Sequence, residues 1–333
     1  MLEHGGALRA AAARYRIPLG DWLDLSTGIN PDGWPVPTIP ATVWQRLPEP
    51  DDELAAAATA YYGSANVLPV AGSQAAIQAL PLLRESGRVG VLSPTYAEHA
   101  HAWRQAGHRV ELLAAEGLDA ALDRLDALVA VNPNNPTGVR FPPATLLGWR
   151  ERLAARGGWL VVDEAFADAT PAESVAVHAG LPGLIVLRSL GKFFGLAGAR
   201  VGFALAEAAL LERASEQLGP WTVTGPSRWV AARALTDRAW QEETRLGLAR
   251  AGKRLADLLG GHGLAAGGTG LFRWAPSPDA EFWQDALGWR GILVRRFADP
   301  PGLRFGLPGP ERAWRRLDRA LAEIRAKRGV RGQ

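Results

Sequence analysis

Only three of the chain's 37 basic side chains are lysines. One of them, Lys192, stands in Ser189-Leu190-Gly191-Lys192-Phe193-Phe194-Gly195, among apolar residues and glycines. Elsewhere the chain uses arginine for positive charge. A guanidinium stays protonated, whereas apolar surroundings make a lysine give up its proton. A neutral lysine amine can condense with a carbonyl, so this position points to Schiff-base chemistry. The structural alternative is a lysine stem lying along apolar surface with its charge in water. The neighbouring motifs weigh against it.

Gly72-Ser73-Gln74 lies in the turn between a predicted strand and a predicted helix, where backbone amides and the helix dipole suit a phosphate. In Asn132-Pro133-Asn134-Asn135-Pro136-Thr137-Gly138 two prolines fix the backbone, and Asn135 is placed to offer its amide. Asp163 ends the apolar run that starts at Trp159. A carboxylate at that depth needs a cationic or hydrogen-bonding partner, and a protonated pyridine nitrogen would be one. A helix N-cap is the other reading of Asp163. Ser189, three residues before Lys192, and Arg200, eight after it, could both contact a phosphate.

The elements that must position these residues alternate. Apolar runs at 67–70, 88–92, 109–113, 127–131, 159–162, 184–187 and 200–205 read as strands. Helical stretches lie between them, at about 73–84, 96–106 and 143–156. This rhythm predicts a largely parallel sheet covered by helices on both faces, with chemistry at the strand ends. From about 206 the pattern changes to long arginine-rich helices over 206–218 and 225–260. Short strands follow near 271–274, 292–294 and 303–305, with helices at 279–288 and 310–327, as in a smaller α+β lobe. The prolines between 31 and 50 require extended or turning chain.

Composition excludes several classes. The 333 residues include no cysteine, so disulfides, thiolate metal sites and a cysteine nucleophile are out. The net charge is only +3, with acidic and basic residues mingled along the helices, which disfavours nucleic-acid binding. No apolar stretch has the length of a membrane span, and no signal peptide is visible. A cytoplasmic protein with no metal is expected.

Taken in order, Gly72-Ser73-Gln74, Tyr96, Asn135, Asp163, Ser189-x-x-Lys192 and Arg200 resemble the fold-type I pyridoxal-phosphate enzymes, over nearly the whole chain. The resemblance implies an α/β fold with a mostly parallel central sheet in a large domain and a smaller α+β C-terminal domain. Residues 1–25 would be an arm over the active site, 26–215 the large domain and 216–333 the small one. It implies pyridoxal 5'-phosphate as cofactor and Lys192 as the residue that holds its aldehyde. Asp163 would pair with the ring nitrogen, Tyr96 stack on the ring and Asn135 bond the ring hydroxyl. Residues 72–74, Ser189 and Arg200 would form the phosphate cup. Tyr61 would reach the phosphate of a neighbouring subunit, which makes a homodimer the expected assembly. Related aminotransferases commonly carry tyrosine two residues after the glutamate of Asp163-Glu164; here that residue is Phe166.

The N-terminus narrows the resemblance. His4-Gly5-Gly6, followed by Leu23-Asp24-Leu25-Ser26-Thr27-Gly28-Ile29-Asn30-Pro31, resembles the threonine-phosphate decarboxylases of cobalamin biosynthesis. By that likeness His4, Asn30, Arg295 and Arg304 would hold a small phosphorylated amino acid. The implied reaction turns L-threonine O-3-phosphate into (R)-1-amino-2-propanol O-2-phosphate. Two alternatives stay open at this point. One is an aminotransferase acting on histidinol phosphate or a similar amine. The other is a non-catalytic or partner-dependent homologue, linked to the enzyme that attaches aminopropanol to form cobinamide.

Overall fold

A computed structural model describes residues 4–50 and 52–331, with side chains through 327. Its contacts separate two compact units. The first takes the N-terminal residues through Asp32, Pro136–Gly138 and the chain from Thr244 onward; the second takes Gly33–Asn135 and Val139–Glu243. In chain order, strand β1 (Leu23–Leu25) belongs to the first unit. Strands β2 (Val67–Val70), β3 (Arg88–Leu92), β4 (Arg109–Leu113), β5 (Ala127–Val131), β6 (Trp159–Asp163), β7 (Leu184–Ser189) and β8 (Gly202–Leu205) build the second. The first is completed by β9 (Gly267–Gly268), β10 (Phe272–Pro276), β11 (Ile292–Ala298) and β12 (Pro301–Gly306).

The second unit is built on a seven-stranded sheet in the order β2-β8-β7-β6-β5-β3-β4. Every pairing is parallel except those of β8, which runs against both neighbours. Six strands therefore end at one edge of the sheet, and β8 begins there. β5, β6 and β7 are buried at every residue, which is why their sequences are apolar until the polar residues at the ends of β6 and β7. Ile77, Leu80, Trp103, Leu210 and Ala214 pack against Val89, Val129, Val161 and Ile185. Each large apolar side chain so buried contributes roughly 1.5–3 kcal/mol.

The first unit carries a five-stranded sheet, β1-β11-β12-β10-β9. β1 pairs in parallel with β11, and the remaining pairs are antiparallel. Trp283, Leu287, Leu317, Leu321 and Ile324 are buried on the helices Ala280–Gly288 and Glu311–Arg331. Among the described residues, no helix is long and apolar enough to cross a membrane.

Some boundaries lie elsewhere than the sequence suggests. The helical stretch expected over 225–260 is two helices, Gly225–Thr236 and Arg238–Gly261. Asp237 parts them: its carboxylate accepts from Trp240 N at 3.1 Å and from Trp34 Nε1 at 3.0 Å, ending one helix and starting the next. The compact units also break away from 25/26 and 215/216. The ladder between β1 and β11 draws the N-terminal residues into the C-terminal unit. Helix Gly225–Thr236 packs on helix Glu53–Tyr62, and Arg228 grips Asp52 through Nε at 2.5 Å and Nη2 at 2.7 Å. That fork carries the second unit past 215, to Glu243.

Candidate active site

The topology of the large sheet places the expected cofactor residues together. Gly72 follows β2, Tyr96 follows β3, Asn135 follows β5, Asp163 ends β6, Ser189 ends β7 and Arg200 precedes β8. All of these points lie on the edge where the parallel strands finish, and Lys192 follows three residues after Ser189. That edge is where open α/β sheets bind ligands.

Asp163 is buried, and its carboxylate is held from two sides. His99 Nε2 lies 2.8 Å from Oδ2, and the Ala165 amide donates to Oδ1 at 3.0 Å. His99 is itself buried and stands on the first turn of the helix Glu98–Gln105. With an acceptor facing it, Nε2 carries the proton and donates. Sequence reasoning missed His99. The available signal was its position three residues after Tyr96, the spacing that puts two side chains on one helical face. Their rings do meet edge to face, with centroids 6.1 Å apart.

At the other end of the edge, Gly72 has a φ of +72°, and a Cβ there would lie 2.7 Å from Arg200 Nη2. The guanidinium is laid directly over the glycine backbone. Arg200 has a left-handed backbone of its own, φ 53°, which costs a non-glycine residue about 1 kcal/mol. That conformation puts the guanidinium at the start of the helix Ser73–Ala79, whose first amides have no partner within the helix. Ser189 is buried, and its hydroxyl accepts from the Gly191 amide at 3.3 Å.

The phosphate contact expected of residues 72–74 is one of backbone amides, and the Gln74 side chain has a use of its own. It joins two others: Tyr96 OH donates to Oε1 at 3.1 Å, and Nε2 donates to Glu98 Oε2 at 2.9 Å. The Tyr96 ring is thereby fixed. Burial, and then the charges of Glu98 and Asp163, push its hydroxyl pKa up to about 12, so the phenol is neutral at physiological pH. In the asparagine loop, buried Asn132 and Asn134 hold the backbone. Asn132 bonds Phe141 in both directions, and Asn134 links Thr95 to Pro94. Asn135 is the half-buried residue they present. The Lys192 ammonium lies 5.6 Å from the centre of the buried Phe166 ring.

Tyr61 is engaged within its own chain, donating to Asp168 Oδ1 at 3.1 Å. Asp168 and Glu164 both hold the fully buried Arg188, with Nη1 of Arg188 2.5 Å from Glu164. Burial opposes the Arg188 charge, but the two carboxylates outweigh it and raise its pKa. Burial also raises the Glu164 carboxyl, against the pull of Arg188. This cluster was not anticipated either.

The expected substrate residues belong to the first unit. Arg295 and Arg304 face each other across β11 and β12. Arg304 is buried, with Nη2 donating to Ser26 O at 2.5 Å. Burial, and then the like charge of Arg295, pull its pKa from 12.5 down to about 10 against the opposing field of Asp24. The neighbouring Arg296 reaches Glu281 at 3.2 Å on the surface. Asn30 is buried and accepts from the Asp32 amide at 3.0 Å. His4 is exposed and lines a cavity of about 390 Å³ together with Tyr15, Ser26, Gln284, Val294 and Arg295.

The aminotransferase class I and II family model matches residues 23–319. A threonine-phosphate decarboxylase from Pseudomonas aeruginosa is 61% identical over 96% of this chain and 97% of its own. The chain belongs to the threonine-phosphate decarboxylases of that family. A second protein of this description, from a Sinorhizobium species, is 44% identical over 97% of this chain and 98% of its own. Histidinol-phosphate aminotransferase from Sinorhizobium meliloti, solved in complex with pyridoxal-5'-phosphate, shares the fold. Its TM-score is 0.81 at 21% identity, covering 98% of this chain and 96% of that one.

The residues present fit that cofactor. The Gly72 backbone under Arg200 leaves no room for a side chain, as a phosphate approached by backbone amides requires. Asp163 is a buried carboxylate oriented by His99, as a pyridine N–H requires. Lys192 supplies the one amine at this sheet edge, among the described residues.

Proposed function

We propose that the chain decarboxylates L-threonine O-3-phosphate to (R)-1-amino-2-propanol O-2-phosphate, with pyridoxal 5'-phosphate as cofactor, in cobalamin biosynthesis. The single observation that carries the reading is the placing of Lys192, Asp163 and Arg200 along one sheet edge, in a chain that matches a threonine-phosphate decarboxylase over 96% of its length. Overall, the substrate exchanges its Cα carboxylate, lost as carbon dioxide, for a proton. When bound, pyridoxal phosphate supplies the sink for the electrons left at Cα.

The chain's own residues do the rest. Lys192 would hold the cofactor's aldehyde. Asp163, fixed by His99, keeps the ring nitrogen protonated. Asn135 bonds the ring hydroxyl and Tyr96 covers the ring, with Gln74 fixing its tilt. The amides after Gly72, Ser189 and Arg200 take the phosphate. His4, Asn30, Arg295 and Arg304 take the two anionic ends of the substrate. Which Cα bond breaks depends on how these residues orient the substrate, and a phosphate held by arginines would anchor the orientation that loses the carboxylate. Phe166 favours this reading over an aminotransferase, because it offers the cofactor ring no hydroxyl.

The proposal includes a cytoplasmic homodimer and a functional link to the enzyme that forms cobinamide. For Tyr61 to serve a partner's phosphate it would have to leave Asp168. The test is incubation of the loaded protein with L-threonine O-3-phosphate, with and without 2-oxoglutarate. Carbon dioxide and aminopropanol phosphate without the keto acid are expected. Glutamate formed with it, and no turnover without it, would move the chain to the aminotransferases.

A further inference from the structure

Ser26 is buried, and all of its polar groups are used. Its amide and hydroxyl both donate to Asp24 Oδ1, at 2.8 and 2.6 Å. Its hydroxyl accepts from the Gly6 amide at 2.7 Å. Its carbonyl accepts from Arg304 Nη2 at 2.5 Å. One residue thus joins the segment next to His4 to the guanidinium expected to bind substrate. The two glycines of His4-Gly5-Gly6 make the approach possible. A Cβ on Gly5 would stand 2.3 Å from that same Ser26 carbonyl oxygen, and Gly6 has a φ of +85° that favours glycine.

We infer that Ser26 is a positioning residue that couples docking of the N-terminal His4-Gly5-Gly6 segment to the orientation of Arg304, and so helps to set selectivity for an anionic substrate. The inference rests on the proposed function for the identity of that substrate, but not for the coupling itself. Ser26 is not among the residues assigned to the cofactor or to the substrate, and it acts through Arg304. With the segment docked, Ser26 O is held between the Gly5 backbone on one side and Arg304 on the other. Asp24 fixes the turn by taking both the amide and the hydroxyl of Ser26, and its field partly offsets the Arg304 charge. Displacing the segment removes the Gly6 bond and frees the Ser26 turn to shift, and the Arg304 fork shifts with it.

The test uses the loaded full chain with Ser26→Ala, Gly5→Ala and the double variant. Ser26→Ala deletes the Gly6 and Asp24 bonds of the hydroxyl and leaves the carbonyl. Gly5→Ala keeps the hydroxyl and crowds the carbonyl. Each is expected to weaken binding of threonine phosphate and of inorganic phosphate by about tenfold or more, to raise KM with kcat changed less than about threefold, and to leave the cofactor absorbance unaltered. Amide exchange at Gly6 should quicken in both. The double variant should be no worse than the weaker-binding single variant, because both break one coupling. Additive losses, or faster Gly6 exchange with unchanged anion affinity, would overturn the inference. So would loss of the cofactor band together with affinity, which marks general unfolding. If the parent protein neither binds nor decarboxylates threonine phosphate, the functional reading fails. Inorganic phosphate affinity and Gly6 exchange still decide the coupling.

Discussion

Replacing Arg304 by methionine should separate stability from binding. In the folded chain burial and Arg295 lower the Arg304 pKa from 12.5 to about 10. That fall corresponds to roughly 3 kcal/mol against the charged form. Because the folded value lies below the unfolded one, the penalty is present in full below pH 10. It is relieved only as pH rises from there towards 12.5. Methionine removes the penalty and also loses the bond to Ser26 O, worth about 1.5–3 kcal/mol for a charged donor. The two nearly cancel, so ligand-free Arg304→Met should unfold within a few degrees of the parent at pH 8. Substrate affinity should fall about a hundredfold, the worth of a forked guanidinium contact to an anion. Cofactor affinity should barely change. Thermal unfolding without phosphate, calorimetry with threonine phosphate and a cofactor absorbance titration measure the three terms. A loss of about 3–5 kcal/mol in the ligand-free protein would refute the reasoning. That is the cost of breaking a balanced buried ion pair, and it would make Arg304 a structural ion.

Two other substitutions probe the cofactor edge. Lys192→Ala should abolish the visible absorption of the cofactor-loaded protein, and an unchanged spectrum would refute the assignment of that lysine. His99→Phe removes a charge-assisted bond from buried Asp163, and should lower kcat/KM by roughly 10- to 100-fold with the Ala165 bond still in place. His99→Gln should recover part of this by donating from its amide; a change below about twofold in both would mean that Asp163 does not depend on His99.

What was legible in the sequence is what is local. β5, β6 and β7 show as apolar runs because both their faces are covered, and their ends carry Asn135, Asp163 and Ser189 within a few residues. The phosphate turn and the lysine segment are likewise contiguous. What stayed hidden depends on partners far away in the chain. β1 is three residues long and is a strand only because β11 lies beside it, nearly 270 residues later. His99 reads like its neighbour His101 until β6 delivers Asp163 to it. Arg188 and Glu164 could each have been surface charges, and the sequence does not say that β6 and β7 bury them together. Gln74 was legible as part of the turn, but its use by Tyr96 and Glu98 was not.

The same contrast separates the residues assigned to the cofactor from those assigned to the substrate. The residues assigned to the cofactor, Tyr61 on the helix Glu53–Tyr62 apart, come from the strand ends of one sheet and the turns beside them, within one buried framework. Those assigned to the substrate come from short strands, from the segment ahead of β1 and, with Asn30, from the loop after it; Ser26 joins the first two. The role proposed for Asp163 demands the first arrangement, since its carboxylate would face one nitrogen whatever the substrate. Discrimination between substrates demands the second, since it turns on a few polar contacts to anionic groups. Substitutions in Gly33–Glu243 outside Pro136–Gly138 should therefore be read in the cofactor spectrum. Those around Ser26, Arg295 and Arg304 should be read in KM. A variant of Ser26 or Arg304 that altered the spectrum before it altered KM would break that division.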